Sequence, residues 1–218
     1  MLTKLFLFFI LIFLPIFIYP QAYLPGDNEL LIMPTAYTMP VNKSYFSDYE
    51  VFLLNYSYAL SSSTHFSVFS LFPITTSFYE TLTLGIKQKI ITYKSIQSAL
   101  YGTFTPKTTS YLFGDVVSIG QPCKSLHLSL AYVKYTEETD AEWIYMLGFR
   151  IDPSETTSLL IEYENANSLI HEDFKGLLSF GIRIHTTNMS WEIAGIRPIS
   201  GSEDLLLIPL LKVGYYFK

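Results

Sequence analysis

The chain has 218 residues, half of them apolar, 17% aromatic and only 15% charged, with a formal net charge of -5. That is enough apolar side chain for one substantial domain and excludes a disordered polar chain, while the sparse, unclustered Lys and Arg exclude a nucleic-acid footprint. The single cysteine, Cys123, excludes an internal disulfide and a Cys-based metal site from this chain alone.

The first 22 residues carry one charge, Lys4, then an apolar run from Leu5 to Tyr19 broken by Pro15, and end on a small residue, Ala22. The run is short for a membrane helix of about 20 residues, and its Pro disfavours a span. It therefore reads as an export signal cleaved after Ala22, with an uncleaved anchor as the alternative. The expected division is 1–22 signal peptide and 23–218 barrel domain. Next comes "GDNE", 26–29, an acidic segment expected as a solvated loop that could attract divalent cations or the cationic fringe of lipopolysaccharide.

From there the chain repeats one phrase, an alternating segment of about ten residues followed by a polar turn. Strands are predicted over 29–36, 45–60, 64–73, 79–92, 96–105, 109–119, 125–136, 142–152, 157–166, 173–185, 188–199 and 205–217. In the second, Asp48 and Glu50 lie on one phase and Asn55, Ser57 and Ala59 on the other, which implies a bulge near 52–54. In 81–90, Thr83, Gly85, Lys87 and Lys89 oppose Leu82, Leu84, Ile86, Gln88 and Ile90. In 125–132, Ser125, His127, Ser129 and Ala131 oppose Leu126, Leu128, Leu130 and Tyr132. In 143–151, Met146, Gly148 and Arg150 oppose Trp143, Tyr145, Leu147, Phe149 and Ile151. In 175–185, Lys175, Leu177, Ser179, Gly181, Arg183 and His185 oppose Gly176, Leu178, Phe180, Ile182 and Ile184.

One face of each strand is thus large and apolar, the other small and polar. A soluble β-sandwich also alternates, but its outer face is normally rich in Lys and Glu. A transmembrane barrel places the large apolar face against lipid and the small polar face in the lumen. The expectation is an all-β, antiparallel up-and-down transmembrane β-barrel of twelve strands, or ten if 29–36 lies outside or 64–73 merges with a neighbour. The lumen-lining charges would be Lys87, Lys89, Arg150, Glu162, Glu164, Lys175, Arg183, Glu192 and Lys212. Simple hairpins put Glu164 opposite Lys175, Glu192 opposite Lys212, and Arg183 diagonal to Glu192. Tyr37, Tyr93, Tyr111, Trp143, Trp191, Tyr215 and Phe217 fall near strand ends, where aromatic girdles sit.

Catalytic chemistry has one candidate. His127 and Ser129 are two apart on a strand and point the same way, as a base and nucleophile require, with Glu142 as the nearby acid. His65, His171 and His185 lack the paired spacing of metal ligands, and "EETDAE", 137–142, reads as a second acidic loop. No cofactor and no metal are expected.

The ending "KVGYYFK" resembles the C-terminal β-signal of outer-membrane proteins, which is read by the barrel-assembly machinery. Lys212, Gly214, Tyr215 and Phe217 occupy its places, and Lys218 is a departure, since the signal usually ends on the aromatic. The stretch 32–69 is similar to the opening of a family of small, functionally uncharacterised outer-membrane β-barrels of Gram-negative bacteria. Pro34, Thr35, Ala36, Pro40, Asn55, Tyr56, Tyr58 and Ser67 carry that likeness. The "HLS" tripeptide resembles the His-x-Ser of the barrel phospholipase and lipid A deacylase, although Leu130 follows the Ser and no Asn comes on the next strand before Asn165. The resemblance implies a location in the bacterial outer membrane and no assigned activity. The expectation for this chain is an exported monomer in contact with lipid and lipopolysaccharide. Its use would be a narrow solute channel or a structural envelope barrel; the alternatives are a lipid hydrolase and an exported soluble β-sandwich binding module.

Overall fold

Alternation with a period of two makes the chain a strand former throughout, and a meander with every edge paired must close on itself. The computed structural model describes residues 23–50, 52–71, 78–135, 141–165, 174–200 and 207–217. The stretch 1–22 expected to be an export signal, the acidic 137–140 and His171 lie outside them. The twelve strands are β1 (Ser44–Tyr49), β2 (Leu53–Ala59), β3 (Thr64–Leu71), β4 (Thr83–Tyr93), β5 (Ile96–Thr105), β6 (Ser110–Gln121), β7 (Lys124–Lys134), β8 (Glu142–Ser154), β9 (Thr157–Glu164), β10 (Phe174–His185), β11 (Met189–Ser200) and β12 (Ile208–Phe217). Each pairs antiparallel with its sequence neighbours. β12 closes the barrel on β1, from Ser44 opposite Phe217 to Tyr49 opposite Lys212. One helical turn, α1 (Phe78–Thr81), precedes β4.

The count of twelve holds, but two of its members differ from the sequence reading. The stretch 45–60 is two strands, and the expected bulge is a hairpin turn: Glu50 takes a left-handed φ of 57° and the Phe52 amide donates to the Tyr49 carbonyl. The stretch 29–36 is not in the wall at all. It lies inside the barrel, where an isolated antiparallel bridge pairs its own Glu29 and Pro34.

The two faces sort as the alternation demands. Ile86, Phe113, Tyr145, Ile182 and Ile193 stand exposed on the outside, whereas His127, Arg150, Arg183, Glu192 and Lys212 are buried inside. Exposed aromatics form two outer rows. Tyr111, Tyr132 and Trp143 stack in sequence near one end, and Trp191, Tyr215 and Phe217 stand near the other, with the last two rings 4.7 Å apart. Tyr37, expected in a girdle, is instead buried in the lumen, edge-on to His127 at 5.7 Å.

The two ends of the barrel also differ. The end that holds the start of β1 and the end of β12 has tight turns at 94–95, 122–123 and 155–156. The opposite end carries the longer connections 72–82, 135–141, 165–173 and 201–207.

Candidate functional site

The lumen is occupied by the chain's own N-terminal segment, Tyr23 to Met39. Within it, 26–35 folds into a tight turn: the Leu30 amide donates to the Met33 carbonyl at 2.8 Å and the Thr35 amide to the Asn28 carbonyl at 3.1 Å. Such a turn leaves amides and carbonyls directed outward, and each must find a partner away from water. The wall supplies them as charged side chains. Glu162 on β9 accepts the backbone amides of Leu31, Ile32 and Met33. Lys87 on β4 donates to the carbonyls of Asn28, Thr35 and Tyr37 at 2.9–3.0 Å. Arg183 on β10 donates to those of Gly26, Glu29 and Leu30, and Lys212 on β12 to those of Leu30 and Leu31.

These charges are also balanced among themselves. Arg183 pairs with Glu192 at 2.9 Å, Lys212 with Glu29 at 2.9 Å, and Lys212 stands 3.7 Å from Glu192. Arg150 bridges Asp27 of the segment and Asp152 of its own strand. The expectation that 26–29 is a solvated acidic loop is therefore overturned. Its two carboxylates are ion-pair partners of buried cations, so the segment and the wall complete each other.

Shape follows the same division. Leu30, Leu31 and Met33 are buried against Ala99, Val116, Ala131, Leu160 and Ala194. The wall glycines make the room: a β-carbon on Gly148 would collide with Leu30 and Met33, and one on Gly181 with Leu31. Further along, the Ala36 amide donates to Ser118 Oγ at 2.8 Å and the Met39 amide to His65 Nε2 at 2.7 Å. Strands on all sides of the barrel thus hold the segment, which makes it a plug.

The catalytic candidates do not assemble. Both ring nitrogens of His127 are engaged, Nδ1 with Ser118 Oγ at 2.7 Å and Nε2 with Ser125 Oγ at 2.8 Å. Ser129 Oγ donates to the Asp115 carbonyl and meets Tyr101 Oη, each at 2.7 Å. Glu142 lies six residues along β8 from Gly148, the residue paired with His127, or about 20 Å at about 3.4 Å per residue. His185 Nε2 pairs with Ser158 Oγ at 2.7 Å.

The remaining sequence-predicted charges take other places. Lys89 is half-buried on the inward phase of β4. Lys175 is exposed rather than lumenal, and Glu164 stands opposite Leu177 instead of Lys175. The cause is a bulge between Phe174 and Leu177, where Gly176 adopts a φ of 136° and displaces the ladder. Gly214 and Lys212 face inward while Tyr215 and Phe217 face outward, so the closing strand obeys the alternation to its end.

Beyond the plug, toward the long connections, the lumen is open. A cavity of about 640 Å³ lies there, floored by Glu29, Ile32 and Pro34 of the plug. Its walls are largely apolar, with Tyr101, Leu112, Val133, Ile144, Met146 and Leu210 pointing in. The sequence reading missed this cup because it expected a polar lumen throughout. The available signal was that both phases are apolar at the loop ends of β7 and β8, in "LAYV" at 130–133 and "WIYM" at 143–146.

No family model matches the sequence, and no curated protein matches it. Among solved structures, the barrel is similar to OmpF of Salmonella typhi, solved in complex with daunomycin, with 9% identity and a TM-score of 0.43 over 76% of this chain and 61% of that one. The chain thus spans about three fifths of OmpF. It is also similar to the outer membrane protein Omp33 of Acinetobacter baumannii, with 9% identity and a TM-score of 0.45 over 80% of this chain and 96% of that one. LpxR of Salmonella typhimurium gives 7% identity and a TM-score of 0.39, over 80% and 99% of the respective chains.

Proposed function

We propose that the protein is a bacterial outer-membrane barrel that its own N-terminal segment keeps closed. The membrane reading is supported by a closed, even-stranded wall with an apolar exterior, two outer rows of aromatics, short turns at one end and long connections at the other. By that pattern the end with the tight turns faces the periplasm, and the cup faces outward. In this reading the barrel does no hydrolytic chemistry and acts as a structural or ligand-holding element of the envelope, not as an open channel.

The observation that carries closure is the grip of Glu162, Lys87, Arg183 and Lys212 on the backbone of 26–37, which occupies the space that a solute would need. Of the lumenal charges read from the sequence as possible pore lining, Lys87, Arg150, Glu162, Arg183 and Lys212 are spent on the plug. The test is conductance in planar bilayers. The intact protein is expected to give no steady current, whereas persistent single-channel openings from the unmodified chain would refute closure.

A further inference from the structure

The apolar cup is an unexpected lining for a barrel interior. A lumen that passes water and ions is polar, and here the polar half is the half filled by the plug. The open half has apolar side chains from β5, β6, β7, β8 and β12 around about 640 Å³, within the roughly 300–1,000 Å³ of small-molecule sites. Apolar surface enclosed this way is wet only at a cost, so an apolar guest would gain by displacing that water.

The charged residues that line the cup are Glu29, Glu50, Glu164 and Lys87. Glu164 lies on the inward phase of β9, opposite Met146 and Leu177, half-buried in the cup wall. Among the described residues no cation pairs with it. Lys87, the one ammonium at the cup, is turned to three plug carbonyls, and Glu29 on the floor already has Lys212.

We infer that the cup binds an amphiphilic amine, a molecule with an apolar body that fills the lumen and one protonated nitrogen held by Glu164. The apolar walls alone would accept a fatty acid, an alcohol or an amine alike. Glu164 selects the amine. A carboxylate guest would meet an unpaired acid in a partly desolvated site, which is costly.

The test uses the folded protein in lipid nanodiscs, with empty discs as the blank, and three probes of one chain length: dodecylamine, dodecanol and dodecanoate. Calorimetric titration at pH 7 is expected to show saturable binding of the amine at one per chain, at least tenfold tighter than the alcohol, and none of dodecanoate. Glu164→Gln should bring the amine down to the level of the alcohol. Leu112→Trp, on a cup residue whose ladder neighbours are Thr103 and Val133, fills the cup away from Glu164 and should remove both, and an unchanged heat shift on a denaturing gel would show that each variant is folded. Absence of saturable binding above the empty discs overturns the cup as a site. Dodecanoate binding as tightly as the amine, or an amine affinity that Glu164→Gln leaves unchanged, overturns the assignment of the guest. The assay reads binding alone, so its failure is separable from a conducting barrel, which would refute closure.

Discussion

Leu30 of the plug fills the space in front of Gly148 where a side chain would otherwise stand, and Leu31 does the same before Gly181. The two glycines are wall residues of β8 and β10, more than a hundred positions further along the chain. Plug and wall are therefore shaped for each other, and that gives a way to disturb the plug without touching a charge.

Gly148→Leu and Gly181→Leu should displace the plug while leaving the wall strands paired. Overpacking of this kind costs about 1–3 kcal/mol. The expected result is a folded barrel by gel mobility that now conducts and whose N-terminal segment is cut by added protease. Unchanged protection of that segment would mean that the glycines are not seats for the plug.

Glu162→Ala removes the acceptor of three plug amides in one step. Hydrogen bonds to a charged group are worth about 1.5–3 kcal/mol each at most, and an orphaned buried donor carries its own cost. The plug should loosen by about 3 kcal/mol or more, seen as faster amide hydrogen exchange at Leu31, Ile32 and Met33, with the strands β4 to β8 unchanged. Exchange no faster than in the native chain would count against the grip.

Arg183 and Glu192 stand directly opposite each other, and Lys212 opposite Glu192. Glu192→Gln leaves two buried cations short of a partner and is expected to lower stability by about 3–5 kcal/mol, the range for breaking a buried pair. Chemical denaturation in detergent measures it. A double variant, Arg183→Met with Glu192→Gln, should recover part of the loss. Equal loss in both variants would mean that the pair is not coupled.

That triad shows how much was legible. Glu192 opposite Lys212 follows from counting across one turn, and it stands as counted. Arg183 was placed diagonal and is in fact opposite, a shift of one pair across the 186–188 turn. Glu164 opposite Lys175 failed because a bulge at Gly176 cannot be counted from a hairpin rule. The plug was the larger miss. Nothing local in "ELLIMPTA" separates an inserted turn from a wall strand, because its partners, Glu162 and Arg183, lie about 130–155 residues away. The trace it left was on the wall, in small residues and in more lumenal charge than the wall strands could pair among themselves.

Ile193 stands on the outer face near the middle of β11, 66% exposed, beside Ile182 and Leu211. If that face meets lipid, Ile193→Arg should lower folding stability in bilayers by about 2–4 kcal/mol, the cost of a charge near the midplane, and Trp143→Arg at the rim by less. Equal and small effects at the two positions would indicate an exterior in water.

Cys123 sits in the 122–123 turn, on the end assigned to the periplasm. Burial, followed by the carboxylate of Asp152, pushes its thiol up, so less thiolate is present at neutral pH. Maleimide labelling of isolated envelopes should be slow at pH 7 and accelerate as pH rises. Intact cells should not be labelled by a membrane-impermeant reagent, and rapid labelling there would invert the orientation.

The most direct measurement of the central claim joins plug to wall. The Ala36 amide and the Ser118 side chain are within hydrogen-bond distance, so cysteines at these two positions, in a Cys123→Ser chain, are near enough for a disulfide. Mild oxidation of the protein in its native membrane is predicted to give the 36–118 crosslink in nearly all molecules, with the heat shift intact and no conductance. Two freely reactive thiols, no crosslink and a conducting barrel would contradict an N-terminal plug.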